Sequence, residues 1–299
     1  MLCGGLRLTT MDLTLMPRNL VESVEREGRQ AWLATLSSSI EDLSRRWSLV
    51  VGAPFQPGGQ TAWVAPARDA DGNERVLKVA WRHWEASHEV DGLRQWDGAG
   101  AIRLHAHAEL DDTVALLLER CLPGDSLASR PETEQDVIVS GLLRRLWLTP
   151  ALGNFRPLQV MCEAWADEFE AKSGRVRTAL DPGLARAGIQ LFRMLPTTAN
   201  KTVLLCTDLH AENVLAAERE PWLVIDPKPH LGDPTYDALQ HMLNCGDRLG
   251  ANPAALARRM AELLGLDPER LLLWLFARCV QESPDRPELA LVARRIAPT

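Results

Sequence analysis

The chain has 299 residues, of which 46% are hydrophobic and 24% are charged, and it carries a formal net charge of −7 at pH 7. This composition is ordinary for a globular protein of two lobes or domains, and the acidic balance argues against a nucleic-acid-binding protein, whose phosphate contacts require a basic face. No stretch approaches the roughly 20 apolar residues that a membrane-spanning helix needs. We therefore expect neither a nucleic-acid partner nor a membrane.

Six cysteines are scattered along the chain without a CxxC pair: Cys3, Cys121, Cys162, Cys206, Cys245 and Cys279. Zinc sites and disulfide frameworks both use closer spacing, so we interpret these residues as reduced thiols of a cytoplasmic protein. The first ten residues are too short and too polar for a signal peptide, and translation starts at either Met1 or Met11.

In chain order, residues 17–46 show apolar side chains at helical spacing, with a break near Gly28. Short apolar or β-branched segments separated by turn residues follow, and these predict strands. The predicted strands are Trp47–Val51, Thr61–Pro66, Arg75–Trp81, Ile102–His107 and Thr113–Arg120, and one helix is predicted at Trp84–Asp97.

After Pro123 the pattern becomes mainly helical. The predicted helices are Glu132–Leu148, Leu158–Thr178, Pro182–Leu195, Tyr236–Leu249, Pro253–Leu264, Pro268–Val280 and Pro287–Ile296, with a hairpin-like unit at Thr202–Asp226. A strand-rich first part and a helix-rich second part predict an α+β fold with two lobes. The boundary falls near Glu119–Asp125 and divides the chain into residues 1–120 and 121–299.

The chemistry is concentrated in residues 204–215 and 224–227. They place Asp208, then Asn213 five residues later, then Asp226, with apolar strand-like residues around each. Phosphoryl transfer from a nucleoside triphosphate needs such a series: a carboxylate that orients the attacking hydroxyl, followed by two oxygen ligands for Mg²⁺. A DxxxxN motif followed by an apolar strand that ends in Asp therefore indicates a kinase-like site.

This pattern, Asp-Leu-His-x-x-Asn-Val-Leu followed by Val-Ile-Asp-Pro, resembles the aminoglycoside phosphotransferase family. The finer similarity is to its streptomycin 6-kinase and hydroxyurea phosphotransferase-like subgroup. Supporting segments are Pro57–Val64, Val76–Val79, Trp96–Leu104 and Leu117–Cys121, so the resemblance runs from about Trp47 to the end. It implies a two-lobed protein-kinase-like fold with a nucleotide-binding first lobe, and a helical second lobe that carries the catalytic loop and the acceptor site. It also implies that Asp208 is catalytic and that Asn213 and Asp226 bind Mg²⁺.

Lys78 interrupts an apolar strand, which suits a lysine that reaches the α- and β-phosphates of ATP. Such a lysine needs an acidic partner. Glu85 and Glu89 lie at i and i+4 of the predicted helix and so share one face. We favour Glu89 because its surroundings resemble the family pattern, and Glu85 is the alternative.

Gly58 and Gly59 lie between two predicted strands, about twenty residues before Lys78, where glycines let the backbone approach a phosphate closely. The same two glycines also suit an ordinary hairpin without a ligand. By resemblance, the backbone of Glu119 through Cys121 contacts the adenine.

The acceptor site is the least defined part of the sequence. By resemblance it lies on the helical lobe and is acidic, which suits a cationic acceptor. The candidates are Asp233, Tyr236 and Asp237 after the metal-binding loop, and Glu163 and Asp167 at i and i+4 of one helix, together with Glu168 and Glu170. For the helix residues a solvated surface is an equally good interpretation.

Two residues of the catalytic loop lead to structural expectations. His210 is expected to brace the loop backbone rather than to act as an acid or base. Thr207 stands where the family often has glycine, and because positive φ is costly for a β-branched residue, we expect ordinary backbone angles there.

The sequence thus predicts a monomeric or weakly dimeric small-molecule kinase that uses Mg²⁺ and ATP, with an aminoglycoside such as streptomycin as the acceptor. Hydroxyurea or another small hydroxyl metabolite is the alternative acceptor. Two other classes stay open: a pseudokinase-like nucleotide-binding module, and a metal-dependent hydrolase that would use Asp208, His210, Glu212 and Asp226. The hydrolase is disfavoured because HExxH and GxSxG motifs are both missing.

Overall fold

The computed structural model describes residues 16–173 and 180–298. Both alternative start residues, Met1 and Met11, and the last residues of the predicted helix Leu158–Thr178 lie outside the described parts. The chain divides into two compact units. The first contains the chain up to Val90 together with Ile102–Arg120, and the second contains Asp91–Ala101 and the chain from Cys121 onwards.

The elements of the first part, in chain order, are α1 (Arg18–Glu27), α2 (Gln30–Arg46), β1 (Val50–Val51), β2 (Ala62–Arg68), β3 (Glu74–Trp81), α3 (Glu89–Trp96), β4 (Leu104–Leu110) and β5 (Thr113–Glu119). The break predicted near Gly28 is real: this residue adopts φ 68°, and its N–H donates to the Val24 carbonyl and so ends α1. The apolar faces of α1 and α2 are buried with one side of the sheet, in a cluster that includes Leu20, Trp32, Leu36, Leu77 and Trp81.

The five strands form one antiparallel sheet in the order β1-β2-β3-β5-β4. Lys78 lies at its centre, opposite Val64 of β2 and Leu116 of β5. The predicted strand Trp47–Val51 is reduced to two residues, because the Trp47 N–H donates to the Leu43 carbonyl and so still belongs to the end of α2.

The single helix predicted at Trp84–Asp97 is wrong. A 3₁₀ turn covers Trp84–Ala86, and α3 begins only at Glu89. The Ser87 hydroxyl donates to the Trp84 carbonyl, and such local serine hydrogen bonds compete with helix continuation. Glu85 therefore does not share a helical face with Glu89.

Residues 91–101 belong to the second unit, whereas the sequence-based division placed them with the first lobe. Trp96 is 1% exposed and its Nε1 donates to the Leu146 carbonyl at 3.3 Å. Gly92 lies so close to Pro229 that an added Cβ would approach the proline Cγ to 2.3 Å. The end of α3 is thus packed on residues that are remote in sequence.

The elements of the second unit are β6 (Pro123–Ser126), α4 (Glu132–Leu146), α5 (Leu158–Ser173), α6 (Pro182–Met194), β7 (Val203–Leu205), β8 (Val214–Ala217), β9 (Trp222–Val224), β10 (His230–Gly232), α7 (Pro234–Asp237), α8 (Leu239–Asn244), α9 (Gly246–Ala251), α10 (Pro253–Leu264), α11 (Pro268–Glu282) and α12 (Glu288–Arg295). Helix α11 is the centre of the core, with Trp274, Leu275 and Phe276 fully buried. It packs against α6, α10 and α12.

The predicted helix Tyr236–Leu249 is divided into α7, α8 and α9. The last break falls at Cys245, whose ψ of 55° is not helical and which is followed by Gly246. Within the described residues, no helix is both long and apolar enough to cross a membrane.

The unit predicted as hairpin-like at Thr202–Asp226 pairs differently. β8 and β9 do form a hairpin, but β7 pairs with β10, so that Leu205 lies opposite His230. β6 completes the sheet of β8 and β9. The loop after β7 and the segment between β9 and β10 are therefore both anchored at one strand pair, which positions the residues of the candidate site.

Candidate active site

The loop after β7 carries Asp208 on an irregular backbone. Its N–H donates to the Cys206 carbonyl at 2.8 Å, and the Lys228 N–H donates to the same carbonyl at 2.9 Å. Leu209, the next residue, is fully buried and fixes the loop, whereas Asp208 itself is partly exposed. The backbone that carries the carboxylate is therefore anchored by hydrogen bonds, and the side chain remains accessible.

Thr207 adopts φ 54°, so the expectation of ordinary backbone angles is wrong. The left-handed conformation costs roughly 1–2 kcal/mol for a residue with a Cβ. Two hydrogen bonds offset this cost: the Thr207 N–H donates to Asp237 Oδ1 at 2.6 Å, and its hydroxyl donates to the Lys228 carbonyl. The threonine hydroxyl thus supplies a contact that a glycine could not make.

The side chain of Asp237 supports the catalytic loop through hydrogen bonds. Its side chain is fully buried, and its Oδ2 accepts from the Cys206 N–H at 3.0 Å and from Trp147 Nε1 at 2.8 Å, in addition to the Thr207 contact. Burial raises the pKa of Asp237 to about 6, although the three hydrogen bonds act in the opposite direction. The prediction that Asp237 contacts the acceptor is wrong, because its carboxylate has no exposed surface and is fully engaged.

Asn213 is oriented by the same loop. Its side-chain Nδ2 donates to the Asp208 carbonyl at 3.0 Å, which leaves the amide oxygen as the atom that can bind a cation. The Ile225 N–H donates to the Asn213 carbonyl at 2.9 Å, and Val214 lies opposite Val224 in the β8–β9 pair. The hairpin therefore holds Asn213 beside the end of β9.

Asp226 follows β9 with φ 49° and a side chain that is 39% exposed. The ammonium group of Lys228 lies 2.7 Å from its Oδ1. The carboxylate is thus paired with a cation in this structure. Together with the Asn213 amide oxygen, it provides the hard oxygen ligands that Mg²⁺ prefers. The residues present fit a magnesium ion. Sequence analysis missed Lys228, although its position two residues after Asp226 was a usable signal.

In the first unit, Lys78 forms a bidentate ion pair with Glu89, with Nζ at 2.7 Å from Oε1 and 2.8 Å from Oε2. The two side chains are 10% and 4% exposed. Burying two charges is costly, and the pair persists only because each charge satisfies the other. The structure thus selects Glu89 rather than Glu85 as the partner.

The profile of the aminoglycoside/hydroxyurea antibiotic resistance kinase family matches residues 46–285. The chain belongs to this family.

The family assignment agrees with curated relatives. The chain is 33% identical over 286 residues to streptomycin 6-kinase from Streptomyces glaucescens, a match that covers 92% of both chains. It is 35% identical over 293 residues to hydroxyurea phosphotransferase from Kitasatospora aureofaciens, covering 94% of this chain and 84% of that one. Membership of this kinase family confirms the predicted resemblance and the prediction of a small-molecule kinase.

A solved structure supports the fold. The chain is similar to an aminoglycoside phosphotransferase crystallised as a thermostable mutant with ADP and hygromycin B, with a TM-score of 0.54 at 15% identity. The match covers 86% of this chain and 95% of that one. The predicted α+β, protein-kinase-like fold is confirmed.

For other predicted residues of this kinase, the structure does not decide the predicted role. Gly58 has φ 79°, its carbonyl accepts from Asn19 Nδ2 at 2.8 Å, and an added Cβ would lie 2.4 Å from Pro17 Cβ. Packing against the start of α1 therefore accounts for this glycine by itself. Gly59 has no comparable constraint, since its nearest neighbour would be the Ala62 carbonyl oxygen at 3.8 Å. A phosphate contact stays a prediction for both.

Glu119 and Cys121 were predicted to contact adenine through their backbone. The Glu119 N–H donates to the Arg103 carbonyl at 2.9 Å, and its Oε2 accepts from the Arg103 N–H at 2.9 Å. The thiol of Cys121 is buried. The side chains are thus engaged within the protein, and the adenine contact stays a prediction.

Asp233 was predicted to contact the acceptor, and the structure contradicts this. The residue is 3% exposed and caps α7 by accepting from the Thr235 N–H at 2.9 Å. Its other oxygen accepts from Arg270 Nε and Trp274 Nε1, both at 2.7 Å. This carboxylate links α7 to α11 and is not accessible to a ligand.

Glu163 and Asp167 do lie on the exposed face of α5. Glu163 accepts from Gln159 Nε2 at 2.8 Å, and Asp167 accepts from Arg193 Nη2 at 2.6 Å. Asp167 is thus already paired with a cation of the protein. An acceptor contact stays a prediction for both residues.

His210 contributes to the loop through its carbonyl, which accepts from the Asn213 N–H at 2.9 Å. Its ring Nδ1, in contrast, is buried without a hydrogen-bond partner among the described residues. Burial also lowers the pKa of His210 below its usual value. The hydrogen bond that braces the loop is therefore made by the His210 backbone.

Proposed function

We propose that this chain transfers the γ-phosphoryl group of ATP to a hydroxyl of an aminoglycoside, in a Mg²⁺-dependent reaction, and that streptomycin is an acceptor. One observation carries the proposal: hydrogen bonds join Asn213 to the Asp208 carbonyl and to the N–H of Ile225, the residue before Asp226, so that one loop and one hairpin carry all three side chains. The streptomycin 6-kinase relative, matched over nearly its whole length, supports the choice of acceptor.

Asp208 is proposed to accept a hydrogen bond from the attacking hydroxyl and to take its proton late in the reaction. The role suits a carboxylate that is accessible and whose backbone is anchored by hydrogen bonds. The anchoring of its N–H on Cys206 and of the Asn213 amide on its carbonyl supports this assignment. Positioning of the hydroxyl, rather than strong base catalysis, is the expected contribution.

The Asn213 amide oxygen and the Asp226 carboxylate would hold Mg²⁺. When bound, the ion supplies positive charge that neutralises the phosphate oxygens. The ammonium group of Lys228 at Asp226 supports the proposal, because it occupies the place of a cation at this carboxylate. Asn213 is favoured as a ligand because its nitrogen is engaged by the protein and its oxygen is not.

Lys78 is proposed to bind the α- and β-phosphates, held in position by Glu89. The backbone of Gly58 and Gly59 is proposed to approach the phosphates, and that of Glu119 and Cys121 to approach the adenine. The bidentate ion pair supports the role of Lys78, because two carboxylate oxygens fix the orientation of its side chain.

We place the enzyme in the cytoplasm, as a monomer or weak dimer. Cys162, Cys206, Cys245 and Cys279 are buried free thiols. Free thiols persist in a reducing compartment, which supports this placement.

A second acceptor, hydroxyurea, is favoured by one observation. The hydroxyurea phosphotransferase relative is 35% identical, slightly more than the streptomycin 6-kinase relative at 33%. Both molecules offer a hydroxyl group, so the proposed chemistry is the same.

The test is a phosphoryl-transfer assay with Mg²⁺ and ATP on streptomycin, kanamycin and hydroxyurea, read by mass spectrometry. We expect streptomycin to gain one phosphoryl group. In the Asp208→Asn variant the rate should fall by about 10²–10⁴-fold, because the carboxylate that orients the hydroxyl is lost, while ATP affinity stays near that of the wild type. Transfer by the variant at the wild-type rate would remove Asp208 from the mechanism.

A further inference from the structure

The backbone of Lys228 is hydrogen-bonded to the catalytic loop. Its N–H donates to the Cys206 carbonyl at 2.9 Å, and the Asp208 N–H donates to the same carbonyl at 2.8 Å. One carbonyl oxygen therefore holds the backbone of this lysine beside the backbone of the proposed catalytic residue.

The carbonyl group of Lys228 is engaged as well. It accepts from the Thr207 hydroxyl and from Nδ1 of His230, the latter at 2.9 Å. Because a carbonyl oxygen only accepts, Nδ1 is the ring nitrogen that carries the hydrogen. His230 is 1% exposed and lies in β10, so the lysine is tied to a buried strand. With both backbone polar groups paired, a change of position at this residue falls to its side chain.

The side chain of Lys228 ends at the carboxylate that is proposed to bind the metal. Its Nζ lies 2.7 Å from Asp226 Oδ1 and 3.5 Å from the Asp226 carbonyl oxygen. The lysine side chain is 15% exposed, and that of Asp226 is 39% exposed. Like charges at contact distance repel each other, so a metal ion at this carboxylate would weaken the hold of Asp226 on the ammonium group.

An ammonium group released in this way would remain close to the reacting groups. Lysine carries three rotatable donors on a flexible stem, so the side chain can choose a new partner while its backbone stays anchored. The phosphoryl group that passes from ATP to the hydroxyl is expected near Asp208 and Asp226. The side chain of Lys228 starts from a backbone held beside the first and ends at the second. The anions expected there are phosphate oxygens, on which charge is spread during transfer.

We propose that Lys228 is a further catalytic residue, whose ammonium group pairs with Asp226 in the nucleotide-free enzyme and with the γ-phosphoryl oxygens of bound ATP. The inference rests on the proposed function and deepens it. In the transfer, the acceptor oxygen forms a bond to the γ-phosphorus, and the bond from this phosphorus to ADP breaks with its electron pair left on ADP. The hydroxyl proton passes to Asp208. Lys228 keeps its protons and stabilises the charge by donating hydrogen bonds.

Lys78 differs from Lys228 in how its charge is held. The Lys78 ammonium is fixed by both oxygens of Glu89, and both side chains of that pair are at most 10% exposed. Lys228, in contrast, pairs with a half-exposed carboxylate for which a metal ion is expected to compete. Lys78 is thus suited to a stationary contact, whereas Lys228 is suited to exchange one anion for another.

The first test measures nucleotide binding without turnover. The dissociation constants of ADP and of AMP-PNP, a triphosphate that is not hydrolysed, are measured with Mg²⁺ by calorimetry. In Lys228→Met we expect AMP-PNP to bind about tenfold more weakly and ADP to bind as in the wild type, because ADP has no γ-phosphoryl group. Lys228→Arg keeps the charge and should restore most of the AMP-PNP affinity.

The control for this test is Lys201→Met, which makes the same change at an exposed position and should leave both constants unchanged. Equal weakening of the two nucleotides in Lys228→Met would indicate a structural role and overturn the proposal. Unchanged binding of both would overturn it as well.

A second test follows the competition at Asp226 in the nucleotide-free protein. Mn²⁺ is titrated into the intact chain and its free fraction is measured by electron paramagnetic resonance. We expect Lys228→Met to bind Mn²⁺ at least about threefold more tightly than the wild type, because a competing positive charge is removed. The ion should be lost from Asp226→Asn. Mn²⁺ binding by Lys228→Met that is equal to or weaker than that of the wild type contradicts the exchange of partners and overturns the proposal.

Kinetics separate this inference from the proposed function. With streptomycin, Lys228→Met should lower kcat by about 10²–10³-fold and leave the KM for streptomycin unchanged, because one charged donor to the reacting group is removed. Phosphorylation of streptomycin together with unchanged AMP-PNP affinity in Lys228→Met overturns the inference alone. Selective loss of AMP-PNP affinity without phosphorylation of any acceptor supports the inference and counts against the proposed acceptor.

Discussion

At the scale of single residues, the catalytic loop shows how a costly conformation is maintained. Thr207 has φ 54° and Asp226 has φ 49°, in a region that residues with a Cβ seldom adopt. Hydrogen bonds that Thr207 donates to the Asp237 carboxylate and to the Lys228 carbonyl hold the first of these in place. Such conformations persist where the surrounding structure fixes them, and they are concentrated at functional sites.

The ionisation of Asp237 should make stability depend on pH. Its pKa is raised from 3.8 to about 6 by burial, so the folded state binds this proton more tightly than the unfolded state. The contribution to stability is therefore fully present below about pH 4 and is lost as the pH rises to about 6, a change of about 3 kcal/mol. We expect the wild type to lose stability over this range relative to Asp237→Asn, measured by urea unfolding at several pH values. Parallel pH profiles of the two proteins would contradict the raised pKa.

Lys228 should stabilise the metal-free protein. Its ammonium group lies 2.7 Å from Asp226, so Lys228→Met leaves that carboxylate without this counter-charge. We expect the melting temperature of the variant to fall in EDTA and to recover in part when Mg²⁺ is added, because the ion replaces the lost charge. Lys201→Met, at an exposed position, is the control and should behave as the wild type in both conditions. An identical loss with and without Mg²⁺ would show that Lys228 acts elsewhere.

At the scale of elements, short local hydrogen bonds decide where helices begin and end. The Ser87 hydroxyl bond to Trp84 delays the start of α3, and this delay separates Glu85 from Glu89. The left-handed Gly28 separates α1 from α2. Both effects shape the first unit, in which α1 also constrains the loop that contains Gly58.

Gly58 and Gly59 form a matched pair for testing that constraint. Gly58→Ala would place a Cβ 2.4 Å from Pro17 and force a positive φ on alanine, so we expect a loss of about 1–3 kcal/mol in unfolding free energy. Gly59→Ala meets no close atom and should change stability by less than about 1 kcal/mol. Chemical unfolding of both variants measures the difference. Equal losses would show that the packing against Pro17 does not determine the choice of glycine.

At the scale of the whole molecule, nucleotide binding is expected to change the stability of the folded chain. A ligand that binds only the folded state stabilises it by about 2.7 kcal/mol at a hundredfold excess over Kd. Binding of Mg-ATP should therefore be visible as a shift in the melting temperature of the intact chain.

We expect Mg-ATP to raise the melting temperature of the wild type by several degrees, and the shift to be mostly lost in Lys78→Met and in Asp226→Asn. Each variant is compared with its own ligand-free form, because breaking the buried Lys78–Glu89 pair is itself destabilising. The exposed Lys201→Met variant again serves as the control. A full shift in either variant would exclude that residue from nucleotide binding.

The sequence by itself determined the family, the fold class and the order of the chemical groups. Asp208, Asn213 and Asp226 could be proposed as its catalytic and metal-binding residues because phosphoryl transfer requires these side chains at short, fixed separations in the chain. The start residues of α6, α10 and α11 were also predicted correctly, because proline at the first helical position is a local signal.

The tertiary structure alone decided the features that depend on contacts between distant residues. The pairing of β7 with β10, the positive φ of Thr207 and the burial of Asp233 and Asp237 all arise from hydrogen bonds across twenty or more residues. Local sequence patterns do not encode such contacts. An acidic residue that becomes buried cannot be distinguished in the sequence from one that stays exposed.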